Sequence, residues 1–236
     1  MSEDGTFKVH IDTIHSKVTK RINWILRSFT NRSHQFLRFV WRTYILPIID
    51  YSSQLWAPLE GHNMNKIENI LCSFSSKVNG LKYLNYWERL EKFKSFSMTR
   101  GYERYLMIYT WKILTNNAHN CGLSWSNTDC KGIPFNLPKY GQFCKSIRKQ
   151  SFMMMGPLLF NSLPRYLRDD RDSNPKQWKK ALDTFLSTIP DTPQTPDLTP
   201  TACTPTSKAT NSLMYWIPHL GLSDRRYNPS ITLYSL

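Results

Sequence analysis

The spacing of apolar residues near the start constrains this chain most. Ile11, Ile14, Val18, Ile22, Ile25 and Phe29 recur at steps of three and four, which is the period of one face of an α-helix. The spacing predicts a helix over 9–29. On the same helix Lys17, Lys20, Arg21, Trp24 and Arg27 fall on a second stripe, roughly 120° round at about 100° per residue. Basic side chains with one interleaved aromatic suit a phosphate backbone and a base or sugar face. The plainer reading is a solvated face whose Trp24 packs on a neighbouring helix.

Helical signals continue along the chain. Ser33 is a good N-cap for a second helix through Phe36, Leu37, Val40, Trp41, Tyr44 and Ile45, which Pro47 ends or kinks. Arg38 and Arg42 share one side of it at i,i+4, either extending the basic surface or facing solvent. A third helix starts at Asn63 or Asn65, buries Ile67, Ile70, Leu71, Phe74 and Val78, and stops at Asn79-Gly80. Residues 86–96 read as a short helix, and Thr99 caps a stronger one over 100–114 with apolar residues on most sides.

The stretch 116–143 is rich in Asn, Gly, Ser and Pro and has no sustained period, so it reads as a long loop between subdomains. Residues 147–152 are expected to be extended. Pro157 then opens a helix through Leu163 at its first turn, and Pro175 opens another that buries Trp178, Leu182, Phe185 and Leu186. From Thr188 to Lys208 Pro and Thr dominate, which predicts a disordered or extended tail. Its last apolar island, Leu213 to Ile217, is too short to hold a structure alone and could dock back on the core.

Charge points to an anionic partner. The net charge is +14 with a pI near 9.6, and beyond Ile189 three basic residues balance three acidic ones, leaving 28 Lys and Arg against 14 Asp and Glu before it. Nucleic-acid phosphates are the commonest such partner, because binding releases condensed counterions.

Several chemistries find no support. Cys72, Cys121, Cys130, Cys144 and Cys203 contain no C-x2-C pair and no His at ligand spacing, so neither a zinc site nor a closed disulfide framework is predicted, and reduced thiols are expected. The six histidines show no metal spacing, and no phosphate-cradling Gly loop or Gly-x-Ser-x-Gly elbow is present. No cofactor is expected. The acidic start lacks a signal pattern, and the longest nearly apolar run, 152–160, is too short to cross a bilayer. An intracellular chain with no membrane partner is therefore expected, the nucleus and the cytoplasm remaining alternatives.

One ordered set of motifs carries a resemblance. Pro47-Ile48-Ile49-Asp50-Tyr51 with Trp56 and Pro58 comes first, then Tyr86-Trp87-Glu88-Arg89-Leu90, then Arg100-Gly101-Tyr102-Glu103-Arg104-Tyr105 leading into Trp111-Lys112-Ile113-Leu114. Gly156 to Pro164, Trp178 to Asp183 and Ile189-Pro190-Asp191-Thr192-Pro193 follow. In this order and spacing, over about 7–193, the chain resembles the C-terminal thumb and post-thumb region of the reverse transcriptase of jockey-like non-LTR retrotransposons. At Leu71-Cys72, where the family carries a polar pair such as Gln-Arg, the sequence departs from it.

The resemblance implies a mostly α fold: a thumb-like helical domain over 1–115, an irregular connection over 116–146, a small helical subdomain over 147–189 and a largely disordered tail over 190–236. It also implies that the catalytic palm lies outside the chain. Polymerase chemistry needs carboxylates that hold two metals. The only Asp pair, Asp169-Asp170, sits among arginines after a helical pattern and reads as a solvated loop. The expectation is a fragment of an RNA-directed DNA polymerase, not an enzyme by itself, that binds RNA or an RNA/DNA template-primer without sequence preference. Its contacts would be Lys17, Lys20, Arg21, Trp24 and Arg27, with Arg38 and Arg42 secondary. Arg89, Arg100, Arg104 and Lys112 are basic positions typical of the family, each more suited to an internal salt bridge. The alternative is a helical protein-interaction module that exposes Trp125, Met214, Tyr215 and Trp216, or a non-functional relic.

Overall fold

The structure, a computed structural model, describes residues 7–56, 61–119, 152–192 and 212–220. The fold is mostly α, and among the described residues every regular element is helical. Two compact units divide the chain, one of residues 1–102 with 191–210 and the other of residues 103–190 with 211–236. The connection over 120–151 and the segment 193–211 lie outside the described residues.

The first unit begins with α1 (Lys8–Ser28). Ile11, Ile14, Val18, Ile22 and Ile25 are all buried, as their period dictates, while Phe29 lies just past the helix and is exposed. Next come α2 (His34–Val40), a π-helical turn (Trp41–Ile45) and α3 (Leu46–Asp50), in one unbroken helical path. The Ser33 hydroxyl accepts from the Phe36 N–H at 3.4 Å, the expected cap. Pro47 does not end the helix. Its missing N–H would leave a gap in the i→i−4 ladder, and the π turn precedes it, with Leu46 N–H reaching back to the Trp41 carbonyl.

That turn resets the buried face. It inserts one extra residue, so Leu37, Trp41, Ile45 and Ile49, each four apart, are buried. Tyr44, assigned to the apolar stripe by simple α periodicity, is expelled to solvent.

After the short α4 (Ser53–Trp56), α5 (Gly61–Ser75) packs along α1. Ile67, Ile70, Leu71 and Phe74 are buried as expected, and Val78 is buried just beyond the helix before Gly80 turns the chain at φ +79°. α6 (Tyr86–Phe93) opens with a complete capping box between Asn85 and Glu88 and ends on Lys94 in the left-handed conformation. The strongest helix, α7 (Met98–Leu114), starts one residue before Thr99. Ser97 caps it instead, its hydroxyl accepting from Arg100 N–H at 3.1 Å.

The second unit is built on the remainder of α7. α8 (Phe152–Ser162) carries Pro157 in its interior, not at the first turn as expected. α9 (Arg165–Arg168) follows Pro164, and α10 (Pro175–Ser187) is capped by Asn174. Trp111 of α7 stacks on Trp178 of α10 with centroids 5.0 Å apart and planes at 18°. Each indole N–H is satisfied, Trp111 by the Asp170 carbonyl at 2.8 Å and Trp178 by the Leu167 carbonyl at 2.9 Å. Gly156 is a contact glycine: a Cβ there would meet the Phe152 ring and Thr110 Oγ1, both at 2.8 Å.

One segment of the tail docks back on the core, as its apolar island allowed. α11 (Leu213–His219) packs on α8, burying Leu213, Met214 and Ile217. Glu103 accepts from Ser212 Oγ and from the Leu213 N–H at 2.9 Å, capping its start. Short as it is, the helix is held by burial and by this carboxylate.

Candidate nucleic-acid interface

Lys17, Lys20, Arg21, Trp24 and Arg27 project from α1 on the side turned away from its buried stripe, and all five are exposed. Trp24 retains 60% of its surface, so it does not pack on a neighbouring helix. No hydrogen bond or ion pair engages these five within the described residues. From Thr13 to Ile49 the sequence contains seven Lys and Arg and no Asp or Glu. Asp12, the nearest acid on α1, is held at 2.7 Å by Lys66 of α5, which also lowers its pKa. The ridge therefore carries uncompensated charge next to an exposed indole.

Arg38 and Arg42 stand one turn apart on α2 and the π turn. Arg42 is exposed, and its Nη2 donates to the Lys94 carbonyl at 3.3 Å. Arg38 is half-buried, and its Nε is buried without a hydrogen-bond partner. Burial, then the nearby Arg42 charge, lowers the Arg38 pKa. One turn earlier on this face His34 has a similarly buried, unpartnered Nε2 and meets the Phe93 ring edge-on at 5.6 Å.

The other basic positions serve the interior. Arg89 is buried and donates to Ser75 Oγ at 3.2 Å, the Leu84 carbonyl at 3.1 Å and the Cys72 carbonyl at 3.4 Å, binding the loose end of α5. Arg100 is fully buried with its Nε 3.9 Å from Asp191, and Arg104 pairs with Asp183. Arg168, also fully buried, donates to the Asn161 carbonyl at 3.0 Å. The internal salt bridge expected of these positions is present for Arg100 and Arg104, whereas Arg89 is held by neutral hydroxyl and carbonyl acceptors.

The first unit also holds a buried, strongly perturbed carboxyl group. Glu68, on the buried side of α5, accepts from Tyr86 Oη and, through its two oxygens, from the Met98 N–H at 3.0 and 3.2 Å. Burial is the largest influence and, with Asp191 nearby, pushes its pKa to about 8, against the opposing pull of its donors. The Tyr86 hydroxyl is pushed well above its usual value, by burial first and then by Glu68. Asp191 in turn accepts from the Ser97 N–H at 2.6 Å and Ser97 Oγ at 2.7 Å. Both carboxyl groups thus serve the first turn of α7, where unpaired N–H groups need acceptors. A helix-spaced Glu with apolar neighbours at Ile67, Ile70 and Leu71 was the available signal.

Asp169-Asp170 lies in the loop after α9. Asp169 pairs with Arg165 at 2.9 Å, and Asp170 accepts from Ser173 N–H at 3.1 Å and Ser173 Oγ at 2.6 Å. Among the described residues no group of three or more His, Cys, Asp or Glu could hold a metal ion, and no helix is long and apolar enough to cross a membrane. Cys72 is disulfide-bonded, which overturns the expectation of a free thiol there. The other four cysteines lie outside the described residues, as do Trp125 and the Tyr215 side chain. Met214 is buried, so it offers no partner surface.

No family model matches the chain, and no curated protein or solved structure matches it either.

Proposed function

We propose that the chain binds nucleic acid without sequence preference, as the template-primer-gripping C-terminal segment of a jockey-like RNA-directed DNA polymerase whose catalytic palm lies outside it. The observation that carries this reading is the exposed, unpaired ridge of Lys17, Lys20, Arg21, Trp24 and Arg27 within an acid-free stretch. Cations so placed hold phosphates and leave base edges unread. The ordered motifs from Pro47 to Pro193 support the family assignment. Catalysis is not assigned to this chain.

The test is fluorescence anisotropy with a labelled RNA/DNA hybrid over a salt series. Four ridge cations on four phosphates predict a log–log slope of about −3 to −4, a loss of roughly a hundredfold between about 50 and 200 mM salt. Lys20→Glu with Arg21→Glu should weaken binding and flatten the slope. Salt-independent binding, or an unchanged double variant, would refute the ridge as the contact. Metal-dependent primer extension by the purified chain would refute the absence of a palm.

A further inference from the structure

The π turn does more than repair the ladder before Pro47. In an α-helix residues five apart point about 140° away from each other, whereas a π turn brings i and i+5 onto one side. Phe39 and Tyr44 are such a pair. Their ring centroids lie 6.5 Å apart with planes at 73°, and they keep 58% and 53% of their surfaces exposed. Interleaved with them are Arg38 and Arg42, with which no carboxylate pairs among the described residues. An apolar partner would bury these guanidinium groups without compensation. A ligand with both a flat π face and an anion satisfies rings and guanidinium groups together, and an unpaired nucleotide is such a ligand.

We infer that Phe39 and Tyr44 form a stacking platform for splayed bases of single-stranded nucleic acid, whose phosphates Arg38 and Arg42 hold. This rests on the proposed nucleic-acid binding and adds a class of ligand to it: the α1 ridge grips backbone of any form, and the π turn selects unpaired strand. Both rings are exposed, so their removal leaves the buried face of α2 intact.

The experiment measures binding of the full chain to oligo(dT) and to a blunt RNA/DNA hybrid, with circular dichroism melts as a control for folding. Phe39→Ala with Tyr44→Ala should lose roughly tenfold per ring on oligo(dT) and keep its affinity for the hybrid, while Tyr44→Phe should bind both probes as the parent does. Equal losses on both probes, or undiminished oligo(dT) binding by the double alanine variant, would overturn the platform. Binding of the hybrid without oligo(dT) would overturn it too and leave the proposed function standing. Binding of neither probe, with capture of an acidic polypeptide instead, would remove both.

Discussion

Glu68 makes the stability of the first unit depend on pH in a direction opposite to that of an ordinary carboxylate. Its folded pKa is about 8 against a reference value of 4.5, because burial outweighs the Tyr86 and Met98 donors. The folded state therefore keeps a proton that the unfolded chain releases. Its contribution is fully present below about pH 4.5 and is lost as the pH rises through about 8. Each pH unit across that window is worth about 1.4 kcal/mol, so the whole span is worth roughly 4–5 kcal/mol at most. Urea unfolding followed by Trp fluorescence from pH 4.5 to 9 reads this out. Glu68→Gln keeps a neutral carbonyl that accepts from Met98 N–H, and it should match the parent at the acid end and exceed it by a few kcal/mol at the alkaline end. The comparison subtracts the histidines, which titrate in both proteins. Parallel pH profiles for the two would show that Glu68 is ionised in the fold and refute the reasoning.

Three further substitutions test the packing. Gly156→Ala should cost about 1–3 kcal/mol in a thermal or urea melt, because its methyl overlaps the Phe152 ring and Thr110 Oγ1. Asn85→Ala removes one arm of the capping box on α6 and should cost about 1 kcal/mol by the same measurement. Asp183→Ala breaks the pair with Arg104, which keeps 28% and 41% of its two side chains exposed; screening limits the loss to less than about 1 kcal/mol. A larger loss would show that solvent reaches the pair less than these exposures imply.

Where a helix ran at constant period, the sequence disclosed it. All five isoleucine and valine positions of the α1 stripe before Phe29 are buried, and Trp178, Leu182, Phe185 and Leu186 are buried on α10. The ridge follows from the same geometry, since a face roughly 120° from a buried stripe is turned to solvent. Features set by local irregularity or distant contacts have no such periodic signature. Tyr44 was misplaced because counting at 3.6 residues per turn cannot foresee an inserted residue, although Leu37, Trp41, Ile45 and Ile49 at exact fours were a clue. Pro157 was misplaced because proline usually opens a helix, whereas here the preceding turn is held by Phe152 and Met154 in the core. The apolar island at Leu213 to Ile217 marks a segment able to dock, but its cap by Glu103, more than a hundred residues earlier, has no local signature.

The arrangement of charge separates a binding surface from mere solubility. Cations kept for solubility are usually interspersed with acids, which limits the field they produce at a distance. Here most cations with structural work are matched by acids, while Arg89 is met by neutral acceptors: Arg100 lies by Asp191, Arg104 pairs with Asp183, Arg165 with Asp169 and Lys66 with Asp12. On the α1 ridge no such partner appears among the described residues, and the sequence supplies none between Thr13 and Ile49. Four like charges on one helix repel one another and weaken the fold slightly, a cost that a bound polyanion would reverse. If that is the reason for the ridge, Lys20→Glu should raise the melting temperature of the free protein while weakening its hold on an RNA/DNA hybrid. A variant that lost both stability and affinity would instead mark Lys20 as part of the scaffold.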